Sequence, residues 1–307
     1  MIHAHGLTKH FGKTVAVDGL TFDIRPGVVT GFLGPNGAGK STTMRMILGL
    51  DHPTNGDVTV GGKRYRELAA PMREVGALLD AGAVHGKLTA RAHLRWLADA
   101  GGLPRARVAE VLEQVGLADV ADRRAGGFSL GMRQRLGIAG ALLGDPATLL
   151  FDEPMNGLDP EGIHWIRTLL QRFAAEGRTV VVSSHLMHEM EETADHVLVI
   201  GRGKLIADTT TAEFTQRAKG NHVRVVSPDA TALTALVERA GGHIAPSAGG
   251  DAGALAVSGL TAALIGDLAA EHGLRLHELS PQRASLEAAF RELTQDSVEY
   301  RPEEVAA

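Results

Sequence analysis

Cysteine is absent from the 307 residues. Disulfides and thiolate-bound metals are therefore excluded, and nothing points to an oxidising compartment. Long apolar runs are also missing. Segments such as Leu136–Leu143 and Thr179–Val182 fall far short of the ~20 residues that a membrane-spanning helix needs. The first residues, MIHAHGLTKHF, lack the apolar region of a signal peptide. A soluble or peripheral chain is expected, with any pore supplied by another chain. Nor is there an excess of basic charge. Lys and Arg total 31 against 36 Asp and Glu, a net charge of −5, which argues against a nucleic-acid partner held by bulk basicity. Internal repeats and low-complexity tracts are absent as well. What is present is 44% hydrophobic and 22% charged residues, the balance of a packed globular chain. The length allows one large domain or two ordinary ones.

Three short apolar runs read as buried strands: Val28–Leu33, Ala147–Phe151 and Thr179–Ser183. Continuous apolar runs bounded by turns suit parallel strands covered on both faces. Helical patterns lie between them, so the class is α/β. The pattern predicts a helix from about Gly39 to Leu50 and a mainly helical block at about 88–143, inserted between the strands. There Leu94, Leu97 and Ala98 share one face, as do Val108, Val111, Leu112 and Val115. After Phe214 the character changes. A strand at His222–Val226 and a helical stripe of Leu233, Leu236, Val237 and Ala240 come first. A strand near His243, a turn at Ser247–Gly253 and a strand at Leu255–Val257 follow. A helix near Leu264–Ala270 and a strand at Leu274–Leu279 complete a βαββαβ order, that of a small α+β ferredoxin-like unit. A last helix places Leu286, Phe290 and Leu293 on one face. The expected domains are 1–216 and 217–296, with a loose tail at 297–307.

Four motifs carry chemistry. The first is GPNGAGKST, comprising Gly34, Pro35, Asn36, Gly37, Ala38, Gly39, Lys40, Ser41 and Thr42. It satisfies G-x-x-x-x-G-K-[ST], with a strand before it and a helix after it. The glycines let the backbone curl so that N–H groups converge on phosphate oxygens, and the helix start adds its positive end. Lys40 would reach the β- and γ-phosphates and Ser41 would ligate Mg²⁺. The second is TLLFDEP, Thr148–Pro154, a strand ending in two carboxylates. Asp152 would hold Mg²⁺ through water, and Glu153 would act as general base on the attacking water. The third is His185 in VVVSSHL, past the end of a buried strand. It would hydrogen-bond the γ-phosphate or the attacking water. The fourth is FSLGMRQRLGIA, Phe128–Ala139, where Ser129 and Gly131 open a helix and make a second anion site. Taken singly, the last three also suit a solvated acidic pair, a structural histidine and an ordinary capped helix.

In this order the motifs resemble the nucleotide-binding domain of ABC proteins. The P-loop matches Walker A, Asp152–Glu153 matches Walker B, and FSLGM stands where the family has its LSGGQ signature. NGLDP, with Asp159, resembles the D-loop. His185 matches the switch histidine, and Phe11 matches the aromatic that stacks on adenine. The resemblance covers about Met1–Phe214. More narrowly, the VGALLD segment and the C-terminal extension look like ATP-binding subunits of ABC-2-type exporters of the bacitracin and daunorubicin resistance kind. The resemblance implies a Mg²⁺-dependent ATPase on the cytoplasmic face of the membrane, serving a separate permease that exports a drug, antibiotic, peptide or lipid. It implies a head-to-tail dimer, a homodimer of this chain, with ATP held between one P-loop and the other chain's Ser129 and Gly131. Two departures stand out. Asp80 occupies the place of a glutamine that senses Mg²⁺ and the membrane domain, and an acidic oxygen there would still contact the metal. In the signature, Leu130 replaces a glycine and Met132 a glutamine. A soluble ATPase acting on ribosomes or DNA and a non-hydrolysing binding module remain open beside the exporter. One P-loop and no sustained heptads fit the first of these poorly.

Overall fold

The computed structural model describes residues 1–216, 221–246, 253–282 and 285–294. The chain divides into two compact units, Met1–Thr211 and Ala212–Glu292. In the first, β1 (Ile2–Phe11) and β2 (Thr14–Ile24) pair antiparallel. Strand β3 (Val29–Leu33) then leaves for a second sheet, and β4 (Asn55–Val60) returns to pair with β1. The resulting three-stranded sheet has the order β2-β1-β4. Its inner face sets Ile2 opposite Ile24 and Ala4 opposite Phe22, all buried. Alternating side chains of one face thereby close over the core.

The second sheet positions the site. Strands β5 (Val75–Leu78), β6 (Thr148–Asp152), β7 (Thr179–Ser184) and β8 (His196–Gly201) lie parallel with β3. Strand β9 (Lys204–Thr210) adds an antiparallel edge. The order is β5-β6-β7-β3-β8-β9. Every residue of β3 and β7 is buried, as expected of parallel strands covered on both faces. Helices α1 (Lys40–Ile47), α2 (Pro71–Glu74), α3 (Ala90–Ala100), α4 (Arg107–Gln114), α5 (Leu130–Leu142), α6 (Pro160–Ala175) and α7 (Met187–Thr193) connect the strands. Three of them, α3, α4 and α5, fill the long excursion between β5 and β6, where the apolar periodicity predicts helix. They bury Leu94, Ala98, Val108, Val111 and Leu112. Predicted α1 stops at Ile47 rather than Leu50.

Helix α8 (Thr211–Gln216) follows β9 along the chain. In the second unit, β10 (His222–Val226), α9 (Ala230–Arg239), β11 (His243–Pro246), β12 (Ala254–Ser258), α10 (Ala262–Glu271) and β13 (Glu278–Gln282) run in the predicted βαββαβ order. Their four-stranded antiparallel sheet has the order β11-β12-β10-β13. Val223, Val225, Leu233, Val237, Val257, Ile265 and Ala269 form its core. Helix α11 (Leu286–Thr294) buries Leu286 and Ala289. The last strand is shifted from its expected position at Leu274–Leu279. The Leu274 N–H is taken by Ala269 O at the end of α10, and pairing with β10 begins only at Glu278 opposite Val226. Pro281, which has no N–H to give, is tolerated because β13 is an edge strand. The Ser247–Gly253 turn up to residue 252, the 297–307 tail and the side chain of Leu293 lie outside the described residues. Among the described residues, no helix is long and apolar enough to cross a membrane.

Candidate nucleotide-binding site

Three of the four motifs sit at the C-terminal ends of parallel strands. The Gly34–Thr42 loop follows β3, Asp152 and Glu153 end β6, and His185 follows β7. Strand β7 lies between the other two, with Ser183 opposite both Phe32 and Asp152. This is the edge at which open α/β sheets bind ligands.

A cleft of about 280 Å³ opens there, lined by Ala16, Asn36–Thr42, Leu79, Asp152 and Glu153. The loop's shape demands glycine at two places. Gly39 holds φ +106 and a Cβ on it would lie 2.5 Å from Ala16 O; a Cβ on Gly34 would lie 2.5 Å from Ile200 O. Gly39 caps α1 without a side chain, which leaves the first-turn N–H groups to an anion. Lys40 is buried, and its Nζ donates to Gly34 O at 2.7 Å and Pro35 O at 3.2 Å. Burial pushes its ammonium below the usual lysine range, while the charges of Glu153 and Asp152 pull it back up. A buried cation held by two neutral carbonyls fits a polyphosphate, whose oxygens would give it anionic acceptors.

Across the cleft, the Ser183 hydroxyl donates to Asp152 Oδ1 in a very short contact. Glu153 takes a left-handed backbone, φ +52, which costs a non-glycine residue ~1–3 kcal/mol. The surroundings hold it there. Its N–H donates to Ser183 O at 3.2 Å and to Ser183 Oγ at 3.1 Å, and its carbonyl accepts from Gln134 Nε2 at 2.9 Å. Its Oε2 meets His185 Nδ1 at 2.8 Å. Among the described residues, no cluster of three or more acidic or histidine side chains could hold a metal ion alone. The hydroxyl of Ser41 and the carboxylate of Asp152 nevertheless suit Mg²⁺. That ion keeps several waters and is commonly held by one or two protein oxygens plus phosphates.

The other predicted residues do not line this cleft. Phe11 is 51% exposed at the end of β1, with Lys9 Nζ 5.0 Å from its ring centroid. Ser129 caps α5, its Oγ accepting from Met132 N at 3.2 Å. Gly131 packs so closely on the Asn156–Leu158 turn that a Cβ would meet Gly157 O at 3.1 Å. Asp159 caps α6 by accepting from Gly162 N at 2.9 Å. Asp80 likewise lies outside the lining of this cleft. Its Oδ1 accepts from Gly82 N at 2.6 Å, because the chain turns there on leaving β5, and it lines a neighbouring cleft instead. That second cleft, of about 560 Å³, is mostly apolar and includes Leu50, Leu79, Trp96, Leu97 and His93. Gln134, Ser183 and Ala16 are site residues that the motifs did not single out. Only Gln134 left a signal, as a polar side chain on the buried side of a helix.

Fold and cleft together define a P-loop nucleotide-binding protein. The ABC transporter family matches residues 17–156, and a domain of unknown function matches residues 221–287. The bacitracin transport ATP-binding protein BcrA of Bacillus licheniformis is 42% identical over 211 residues, 68% of this chain and 69% of that protein. The lantibiotic transport ATP-binding protein SrtF of Streptococcus pyogenes is 35% identical over 208 residues, covering 68% and 90%. Among solved structures, the dimeric post-hydrolysis state of the ATP-binding cassette MJ0796, bound to ADP and Pi, is similar with a TM-score of 0.62. Its sequence is 26% identical, and the match covers 69% of this chain and 99% of that one. The chain belongs to the ATP-binding subunits of ABC transporters.

Proposed function

We propose that this chain hydrolyses Mg²⁺-bound ATP to drive a membrane exporter. The observation that carries the reading is the convergence of Lys40, Asp152 and Glu153 on one P-loop-lined cleft, with His185 bonded to Glu153. Gly34–Thr42 cradle the phosphates, and Lys40 exchanges its two carbonyl partners for phosphate oxygens. Ser41 and Asp152 hold Mg²⁺, whose chemistry is to neutralise charge on the phosphates. Glu153 takes the proton of the attacking water, a role worth about 10²–10⁴-fold, and His185 orients it. Phe11 stacks on the adenine. Ser129, Gly131 and Asp159 do not line this chain's own cleft and serve the nucleotide of a second copy in a head-to-tail homodimer.

The similarity to bacitracin and lantibiotic transport proteins supports export of an antibiotic, peptide, drug or lipid. The apolar cleft supports a permease partner at the cytoplasmic face: Trp96 is 60% exposed and Leu50 56%, beside Asp80 at the end of β5. The domain reading is an ABC domain at 1–216 with a helical subdomain at about 88–143, and an accessory domain at 217–296. That accessory domain is ferredoxin-like, which its βαββαβ order supports, and it braces the dimer or regulates it. Deleting 221–307 then weakens ATP-dependent dimerisation; undiminished dimerisation counts against a bracing role.

The main test is Glu153→Gln, purified from solubilised membranes in ATP and Mg²⁺. The expected product is a trapped dimer with a multi-spanning membrane protein attached and no turnover. Wild-type hydrolysis would remove Glu153 as base. Recovery with ribosomes or DNA would replace the exporter reading.

A further inference from the structure

Gln134 lies in no motif role above, yet its side chain is buried, 3% exposed, and reaches out of the helical excursion to the end of β6. Its Nε2 donates to Glu153 O at 2.9 Å. The peptide groups of Glu153 are thus gripped from two sides. Ser183 on β7 takes the N–H, and the carbonyl is held by Gln134 on α5 together with the Asn156 N–H at 3.2 Å. The residue so held is in a left-handed conformation, φ +52, that an L-residue leaves unless its surroundings over-determine it. That conformation carries the carboxylate to His185 Nδ1 at 2.8 Å. The same α5 begins at Ser129 and Gly131, and its first turn packs on the Asn156–Leu158 turn.

We infer that Gln134 is a positioning residue that ties the backbone of Glu153 to α5, so that the base of one site answers to the helix that meets the partner's nucleotide. This rests on the reading of Glu153 as base and of α5 as the element facing the second copy's ATP. A shift of α5 toward that ATP moves the Gln134 amide, the side-chain donor of the two that hold the Glu153 carbonyl. The two ATP sites of a dimer are then coupled through one side-chain hydrogen bond within each chain.

The test uses the full-length chain with ATP and Mg²⁺. Gln134→Met keeps the length and volume of the side chain but removes the donor. The expected result is a fall in kcat of about tenfold, equal to ~1.4 kcal/mol of barrier, with the KM for ATP within about twofold and a Hill coefficient reduced toward 1. In a Glu153→Gln background, the same substitution changes residual hydrolysis little, because there is no base to misplace. Gln134→Glu, which sets an acceptor against the carbonyl, is expected to lower kcat further. Thermal unfolding of each variant separates these effects from loss of fold. Wild-type kcat and cooperativity in Gln134→Met overturn the inference, as does an additive loss in the double variant. If Glu153→Gln itself turns over normally, the reading of the base fails instead, which keeps the two failures distinct.

Discussion

Two clefts lie side by side in the first unit, both lined by Leu79 at the end of β5, and they are made of opposite materials. The phosphate cleft is walled by main chain, by one buried lysine and by carboxylates. The apolar cleft is walled by side chains, with Trp96 and Leu50 exposed at its edge. Inside it sits a buried histidine, His93, whose Nδ1 has no hydrogen-bond partner. A main-chain site depends on backbone angles that few residues adopt, so it tolerates little change in sequence. A side-chain site depends on shape and area, which many sequences supply. For that reason the first announces itself in a nine-residue motif and the second in none.

Substitutions sharpen this contrast, beginning with the backbone. Gly39→Val forces a β-branched residue to φ +106 against Ala16 O. A loss of ~3 kcal/mol is expected, about 100-fold in ATP affinity, measured by titration calorimetry. Near-normal binding would show that the loop is not the rigid main-chain site described. Lys40→Ala removes a charge-assisted contact worth ~1.5–3 kcal/mol, so ATP affinity falls by roughly 10–100-fold. Trp96→Ala should act on the other cleft. Removing an exposed aromatic anchor at an interface costs ~2 kcal/mol, read as reduced recovery of the membrane partner while ATP affinity holds. If ATP affinity falls instead, the two clefts are not independent.

The smallest effect concerns His93. Burial and the charge of His85 lower its pKa from the ordinary 6.5. The unfolded chain therefore takes up a proton first as pH falls, and the folded state loses stability below about pH 6.5. His93→Leu removes both the unpartnered nitrogen and that titration. Chemical denaturation should show a gain of ~1 kcal/mol at neutral pH and a shallower acid loss than wild type. An unchanged acid slope would mean that His93 gains its proton without leaving the fold.

Much of this architecture was legible in the residues alone. Continuous apolar runs announced β3, β6 and β7 because parallel strands must be hydrophobic on both faces. The βαββαβ order of the second unit was readable from alternation and helical stripes. The β2-β1-β4 sheet was not, because the register of β1 shifts between Ala4 and Leu7 and again between Leu7 and Lys9, which breaks the period of two. Strand β13 was set late because Leu274 and Leu276 look like strand residues, whereas the end of α10 claims the chain there. Asp80 was assigned by its place after β5, while its bond to Gly82 and its place in the lining of the other cleft are visible only in the fold. Gln134 could be seen as polar on a buried face, but its partner is 19 residues away and no spacing rule names it.

The P-loop, the carboxylate pair and the histidine are readable from the residues, since each rests on local geometry: glycine torsions, a helix start, a strand that must end. Tertiary structure alone decided which of these groups meet. The order β6-β7-β3 brings Glu153 to His185 and Asp152 to Ser183, and the packing of α5 delivers Gln134 to the strained carbonyl. Such contacts join residues far apart in the chain, and their distances follow from how the layers close over the core rather than from any local preference.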